Sequence, residues 1–143
     1  MSELWQQAAE WLRDLGVLSR GHAVFKRTAR VYDLALALQD GTLLCQLANR
    51  IMPNVIDTIH NDPGKQFLKM QNIQGFLESA SKFGVKDGDM FAADELYYAS
   101  DFPKVLSCLS VLSGTKACRN AGITKLPAGA ASATARDTDG EDM

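Results

Sequence analysis

Residues 35–53 read Ala35-Leu36-Ala37-Leu38-Gln39-Asp40-Gly41-Thr42-Leu43-Leu44-Cys45-Gln46-Leu47-Ala48-Asn49-Arg50-Ile51-Met52-Pro53: a helix, a tight break, a second helix and a stop. Leu34, Ala35 and Leu38 recur at helical spacing before the break, and Leu43, Leu44, Leu47 and Ile51 do so after it. Asp40-Gly41 is turn chemistry: the carboxylate can bond nearby backbone, and glycine tolerates positive φ. Pro53 removes a backbone donor and pushes Met52 out of the helical region. The second helix is so apolar, with so few charges, that it is expected at the buried centre of a domain.

Outward from this stretch, the other segments keep the same period. Glu3 to Leu15 is predicted to be amphipathic: Leu4, Trp5, Ala8, Trp11, Leu12 and Leu15 share a face, Ser2 is the expected N-cap and Gly16 the stop. Residues 17–28 lack a sustained period and read as an exposed connection anchored by Val24 and Phe25. Residues 53–64 form a loop, with Asn61-Asp62-Pro63-Gly64 as breakers and Val55, Ile56 and Ile59 as its expected pins. Gln66 to Phe83 is the second central helix, carrying Phe67, Met70, Ile73, Phe76, Leu77 and Ala80 at three-four spacing, with Gly84 at its end; the alternative start has Phe67-Leu68 in an entry turn and the helix beginning after them. Residues 86–90 read as a loop and residues 91–98 as holding a short helix. Asp101-Phe102-Pro103 opens the last long helix, Asp101 as cap and Pro103 in the first turn, with Phe102, Val105, Leu106, Leu109 and Leu112 facing inward and Gly114 as the stop. No segment alternates as a strand would, so the class is all-α.

Composition limits what such a domain does. With 46% hydrophobic and 22% charged residues the chain is an ordinary globular one, and 143 residues suffice for one domain and a tail. A net charge of −2 makes no electrostatic case for nucleic acid or an anionic membrane, and the cluster Lys26, Arg27 and Arg30 reads as a solvated loop. No apolar run approaches the roughly 18 residues of a membrane helix, so membrane insertion is not expected. Met1 to Trp5 does not have the basic-then-apolar order of a signal peptide. Cys45, Cys108 and Cys118, odd in number and widely spaced, are expected as reduced thiols in the cytoplasm. Cys45 and Cys108 lie in apolar helices, whereas Cys118, between Lys116 and Arg119, is the candidate for a reactive thiol.

Chemistry-bearing constellations are weak. His22 and His60 fall in separate loops without a partner at zinc-ligand spacing, and His60-Asn61-Asp62 lacks the oxygen ligands of a calcium loop. Asp62-Pro63-Gly64-Lys65-Gln66 departs from the phosphate-loop pattern and follows no strand. Asp87, Asp89, Asp94 and Glu95 read as a hydrated acidic region rather than a catalytic pair. Tyr97-Tyr98 is a candidate contact or phosphorylation site, read chiefly as one ring inside and one at the surface. No catalytic, cofactor-binding or metal-binding residues are assigned and no cofactor is expected. By elimination the chain is a binding or regulatory module, not an enzyme.

Leu38 to Asn49 resembles the central signature of calponin-homology domains. Lys69-Met70-Gln71-Asn72-Ile73-Gln74-Gly75-Phe76-Leu77, followed by Phe83-Gly84-Val85, resembles their next signature, and Asp101 to Leu112 resembles their last helix. Glu3-Leu4-Trp5-Gln6-Gln7 with Trp11-Leu12, then Gln66-Phe67-Leu68, Arg119-Asn120-Ala121-Gly122-Ile123 and the acidic Asp139-Gly140-Glu141-Asp142-Met143, are similar to the amino-terminal region of Vav-family Rho guanine-nucleotide exchange factors.

The resemblance implies a bundle of four main helices plus two or three short ones. With it, the chain divides into a calponin-homology domain over 1–118, a weakly apolar, packed extension over 119–127 and, from its small, polar and acidic composition without an aromatic residue, a disordered acidic linker or tail over 128–143. It implies an autoinhibitory domain that contacts exchange-factor domains or their acidic segment within one polypeptide, in a cytoplasmic, cytoskeleton-associated monomer. The present chain would then be a fragment or truncated product with regulatory competence alone. The alternative is a cytoskeletal module binding filamentous actin, weakly as a single domain. That alternative asks for an exposed apolar stripe on the first helix, where the periodicity instead buries Trp5 and Trp11.

Overall fold

The computed structural model describes residues 3–126, and these form seven α-helices. They are α1 (Leu4–Asp14), α2 (Val31–Leu38), α3 (Thr42–Ile51), α4 (Gln66–Phe83), α5 (Ala93–Tyr97), α6 (Phe102–Ser113) and α7 (Lys116–Asn120), with short 3-10 turns at Ala23–Phe25 and Asp87–Asp89. No strand occurs among the described residues. Ser2, Pro127 and the 128–143 tail lie outside them. The N-cap position of α1 is Glu3, not Ser2; its amide donates to Gln6 Oε1 at 2.8 Å.

The core forms where the apolar faces meet. Leu12, Leu34, Leu38, Leu44, Leu47, Ile73, Phe76, Val105, Leu109 and Leu112 are fully enclosed. Trp5 and Trp11 are buried with them, so the stripe that an actin-binding reading asks for on α1 is spent on the core. Val17 and Leu18, in the stretch read as an exposed connection, are buried as well, since the chain folds straight back after Gly16. Phe25 is half-buried and lies under the Arg13 guanidinium, 5.3 Å from the ring centre.

The break between α2 and α3 brings the two central helices into close contact. Gly41 adopts φ 77°, and Asp40 Oδ1 accepts from Thr42 N at 2.9 Å. Asn72, 2% exposed in α4, reaches over this turn. Its Nδ2 donates to Asp40 O and His60 O, both at 3.0 Å, and its Oδ1 accepts from His60 N at 2.9 Å. The loop before α4 is therefore held by amides as well as by apolar pins. Asn49 does the same further back, exchanging two bonds with the Ile56 backbone at 2.9 and 3.2 Å. Asn72→Ala leaves three backbone groups without that partner and is expected to cost about 2 kcal/mol. Urea unfolding checks this, and a loss within about 0.5 kcal/mol would mean that the loop is held by its apolar pins alone.

Gly75 lies mid-helix in α4, and an added Cβ would meet nothing closer than Ile56 Cδ1 at 4.0 Å. Gly75→Ala should therefore stabilise the fold by about 0.5–1 kcal/mol, read as a raised thermal midpoint. A fall would show that α4 needs the close approach.

Asp101 occupies the N-cap position of α6 with Pro103 in the first turn, but its side chain makes no capping bond. Its backbone sits at ψ 66°, whereas Thr115, at ψ 160°, does accept from Cys118 N. The extended geometry aims a short oxygen at the free amides, and Asp101 lacks it. Beyond α7 the chain runs back across α1 and α6: Trp11 Nε1 donates to Thr124 O at 2.8 Å, and Leu126 N to Ser113 Oγ at 2.9 Å. Ile123 is 5% exposed and Leu126 fully buried.

Candidate functional site

The feature that stands apart from an ordinary helical surface is an aromatic face shared by α2, α5 and the start of α4. Its elements are set locally. Arg30 N donates to Asp33 Oδ2 at 2.7 Å, closing the first turn of α2 and leaving Tyr32 and Leu36 one helical turn apart on the outer side. Ala92 N donates to Glu95 Oε1 at 2.8 Å, which starts α5, and Leu96 anchors that short helix in the core. The same amide bond, together with Lys104 Nζ at 3.2 Å, holds the Glu95 carboxyl below its ordinary pKa. Ala99, at φ 54°, turns the chain away and presents Tyr98.

Side chains then tie the three elements together. Gln39 Nε2 donates to Tyr97 O at 2.9 Å, joining the end of α2 to the end of α5. Gln66 Nε2 donates to Tyr98 Oη at 2.8 Å, joining α4 to α5. Tyr97 and Tyr98 meet edge to face with centroids 4.9 Å apart, and Lys69 Nζ stands 6.0 Å from the Tyr97 ring centre. Tyr32 is 59% exposed, Leu36 48%, Phe67 57% and Tyr98 63%. Beside Phe67 an open groove of about 620 Å3 is lined by Met70, Ala93 and the amides of Gln66, Gln71 and Gln74.

Phe67 corrects the sequence reading, which placed it on the buried stripe. At 3.6 residues per turn it falls about 120° around α4 from Ile73, outside the buried arc. Tyr32 and Leu36 were legible in principle, since both fall off the Leu34, Ala35 and Leu38 side. Tyr97 is half-buried and Tyr98 exposed.

The remaining candidates are dispersed. His22 Nδ1 accepts from Val24 N at 3.0 Å, starting a 3-10 turn, and His60 Nε2 is 2.9 Å from Gln71 Oε1. Among the described residues no three His, Cys, Asp or Glu side chains gather as a metal site. Asp87 and Asp89 lie exposed in the second 3-10 turn, apart from the bonded Glu95. Lys26, Arg27 and Arg30 are exposed. Among the described residues no helix is long and apolar enough to cross a membrane.

All three thiols are fully buried, which overturns the candidacy of Cys118 as a reactive one. Burial pushes Cys45 and Cys108 up to about 12, helped by the Asp40 and Asp89 carboxylates respectively, and raises Cys118. The fold favours the neutral thiol. Its contribution is therefore complete below the unfolded thiol value and declines as pH rises above about 9. At pH 8 the folded chain should leave all three cysteines unmodified by a thiol reagent that labels all of them after denaturation. Rapid labelling of the native chain would put a cysteine at the surface.

The calponin homology (CH) domain family model matches residues 2–118. The chain belongs to the calponin-homology family. The match falls on a non-catalytic domain. Among curated relatives the chain is 42% identical over 129 residues to the proto-oncogene vav of Homo sapiens, covering 87% of this chain and 15% of that protein. It is 40% identical over 129 residues to the guanine nucleotide exchange factor VAV3 of Mus musculus, again covering 87% and 15%. The chain thus spans about 15% of the length of these curated relatives. It superposes on the solved structure of autoinhibited Vav1 with a TM-score of 0.82 at 40% identity, covering 91% of this chain and 25% of that one. The calponin-homology domain of an IQGAP protein from Schizosaccharomyces pombe gives a TM-score of 0.68 at 20% identity over 86% of this chain and 72% of that one, a likeness of fold alone.

Proposed function

We propose that this calponin-homology domain is a regulatory protein-interaction module of a Vav-like Rho exchange factor, acting by contact with other domains to hold nucleotide exchange down. The observation that carries this reading is the likeness to autoinhibited Vav1 over 91% of the chain. The buried α1 tryptophans and the dispersal of titratable groups agree with a module that works through its outer surface. In this reading the chain acts as a cytoplasmic monomer, associated with the cytoskeleton through its signalling partners, and the folded unit includes the described part of the extension, residues 119–126. The burial of Ile123 and Leu126 supports that extent.

The test adds the purified chain to an exchange fragment that carries its own acidic segment but lacks this domain. The expected result is saturable binding together with slower nucleotide exchange on a Rho-type GTPase. Unchanged kinetics with no binding would overturn the reading.

A further inference from the structure

We infer that Thr28 is an acceptor site for a basophilic serine/threonine kinase, carried by the connection between α1 and α2. The sequence around it is Phe25-Lys26-Arg27-Thr28-Ala29-Arg30, with cations one and two positions before the hydroxyl and two positions after it. Among the described residues it is the one hydroxyl with cations within two positions on both sides. Kinases select substrates by such charge patterns, because acidic pockets beside the catalytic cleft pair with basic side chains of the substrate. Lys26, Arg27 and Arg30 are exposed and enter no ion pair among the described residues, so they are open to such a partner.

The local backbone suits a cleft that holds its substrate extended. Lys26 lies at φ −72° and ψ 151° and Arg30 at φ −126° and ψ 170°, so both ends of the recognition segment are already extended. Between them Ala29 N donates to Lys26 O at 3.0 Å, closing a turn with Arg27 and Thr28 at its tip. Within residues 26–30 that is the one backbone bond that straightening breaks. No residue from Lys26 to Tyr32 is buried, so the segment lifts without withdrawing a core side chain. Local openings of this kind lie at the low end of a protein's stability scale. The Thr28 hydroxyl makes no hydrogen bond among the described residues that the opening would lose. Hydroxyls beside a single cation are committed elsewhere: Thr115 caps α7, and Ser81 lies within α4.

In the transfer, Thr28 Oγ1 bonds to the γ-phosphorus of ATP while the bond from that phosphorus to the bridging oxygen breaks. ADP leaves, and the hydroxyl proton passes to the catalytic carboxylate of the kinase. The consequence is electrostatic. Residues 15–32 hold Arg20, Lys26, Arg27 and Arg30 and no Asp or Glu, four positive charges in a chain of net charge −2. A phosphothreonine adds about −2 there and so roughly halves the positive charge of the connection. This charge switch goes beyond the regulatory reading and does not depend on it.

The test incubates the whole chain with magnesium, ATP and the catalytic domain of a basophilic kinase of the protein kinase C class. Phosphate is followed by intact mass and located by peptide mapping. A synthetic peptide of residues 22–34 is the reference substrate. The expected result is one phosphoryl group on the folded chain, located at Thr28, with Thr28→Ala lowering incorporation about ten-fold or more. Lys26→Ala combined with Arg30→Ala should lower kcat/KM about ten-fold at unchanged circular dichroism, because both side chains are exposed.

No incorporation, or phosphate located at another hydroxyl, would overturn the inference. So would labelling of the peptide without labelling of the folded chain, which would mean that the turn does not open, and so would an undiminished rate for the Lys26 and Arg30 variant. The exchange assay is independent of all these outcomes, so the regulatory reading stands or falls separately.

Discussion

Gly41→Ala is expected to destabilise the domain by about 4 kcal/mol. Two costs combine. The residue sits at φ 77°, where a side chain adds about 1–2 kcal/mol of local strain. An added Cβ would also lie 2.6 Å from Asn72 Cβ and 2.7 Å from the Ile73 amide nitrogen. Atoms of α4 cannot be that close, so α3 and α4 must separate along their shared interface, at about 1–3 kcal/mol for overpacking of this kind. Gly41→Asn separates the two causes: asparagine accepts the left-handed backbone but carries the same Cβ, so it should recover only about 1 kcal/mol of the loss. Urea unfolding followed by tryptophan fluorescence measures both variants. A loss for alanine below about 1.5 kcal/mol would mean that α4 can move away from the turn with little strain.

Leu44→Ala should cost about 2–5 kcal/mol. The side chain is fully buried at the start of α3, enclosed with Leu47, Leu38 and Ile73 in the same cluster. Truncation loses the transfer energy of the removed carbons and leaves a cavity that helices on several sides cannot easily fill. Equilibrium denaturation checks it, and a loss under about 1 kcal/mol would remove α3 from the centre of the core. The two substitutions are close enough in the chain and in the core to couple. The double variant is expected to lose less than the sum, since a turn already forced open relaxes around the new cavity.

The helices were legible because burial imposes a period, and the period is written in residue type. Leu34, Ala35 and Leu38, then Leu44, Leu47 and Ile51, all proved to be interior. The Asp40-Gly41 turn was legible from local chemistry, since Asx bonding and positive φ need only neighbours along the chain. Asn72 was not. Its role depends on His60 and Asp40 arriving from two other segments, and a lone asparagine in a helix carries no sign of what it will meet. Phe67 was misplaced for a related reason: three-four spacing allows a residue at the start of a helix to be counted on a face from which it has already rotated.

By itself, then, the sequence determined the all-α class, the order and approximate limits of the helices, most of the inward residues on the long helices and the resemblance to calponin-homology domains. Each of these follows from short-range periodicity or from motifs contiguous in the chain. Only the tertiary structure decided that Gly41 has no room for a side chain, that Cys118 is enclosed, and that Tyr32, Leu36 and Tyr98 line one outer crevice. Those are facts about pairs of residues tens of positions apart. Their proximity is set by how helices pack, and no local propensity encodes it.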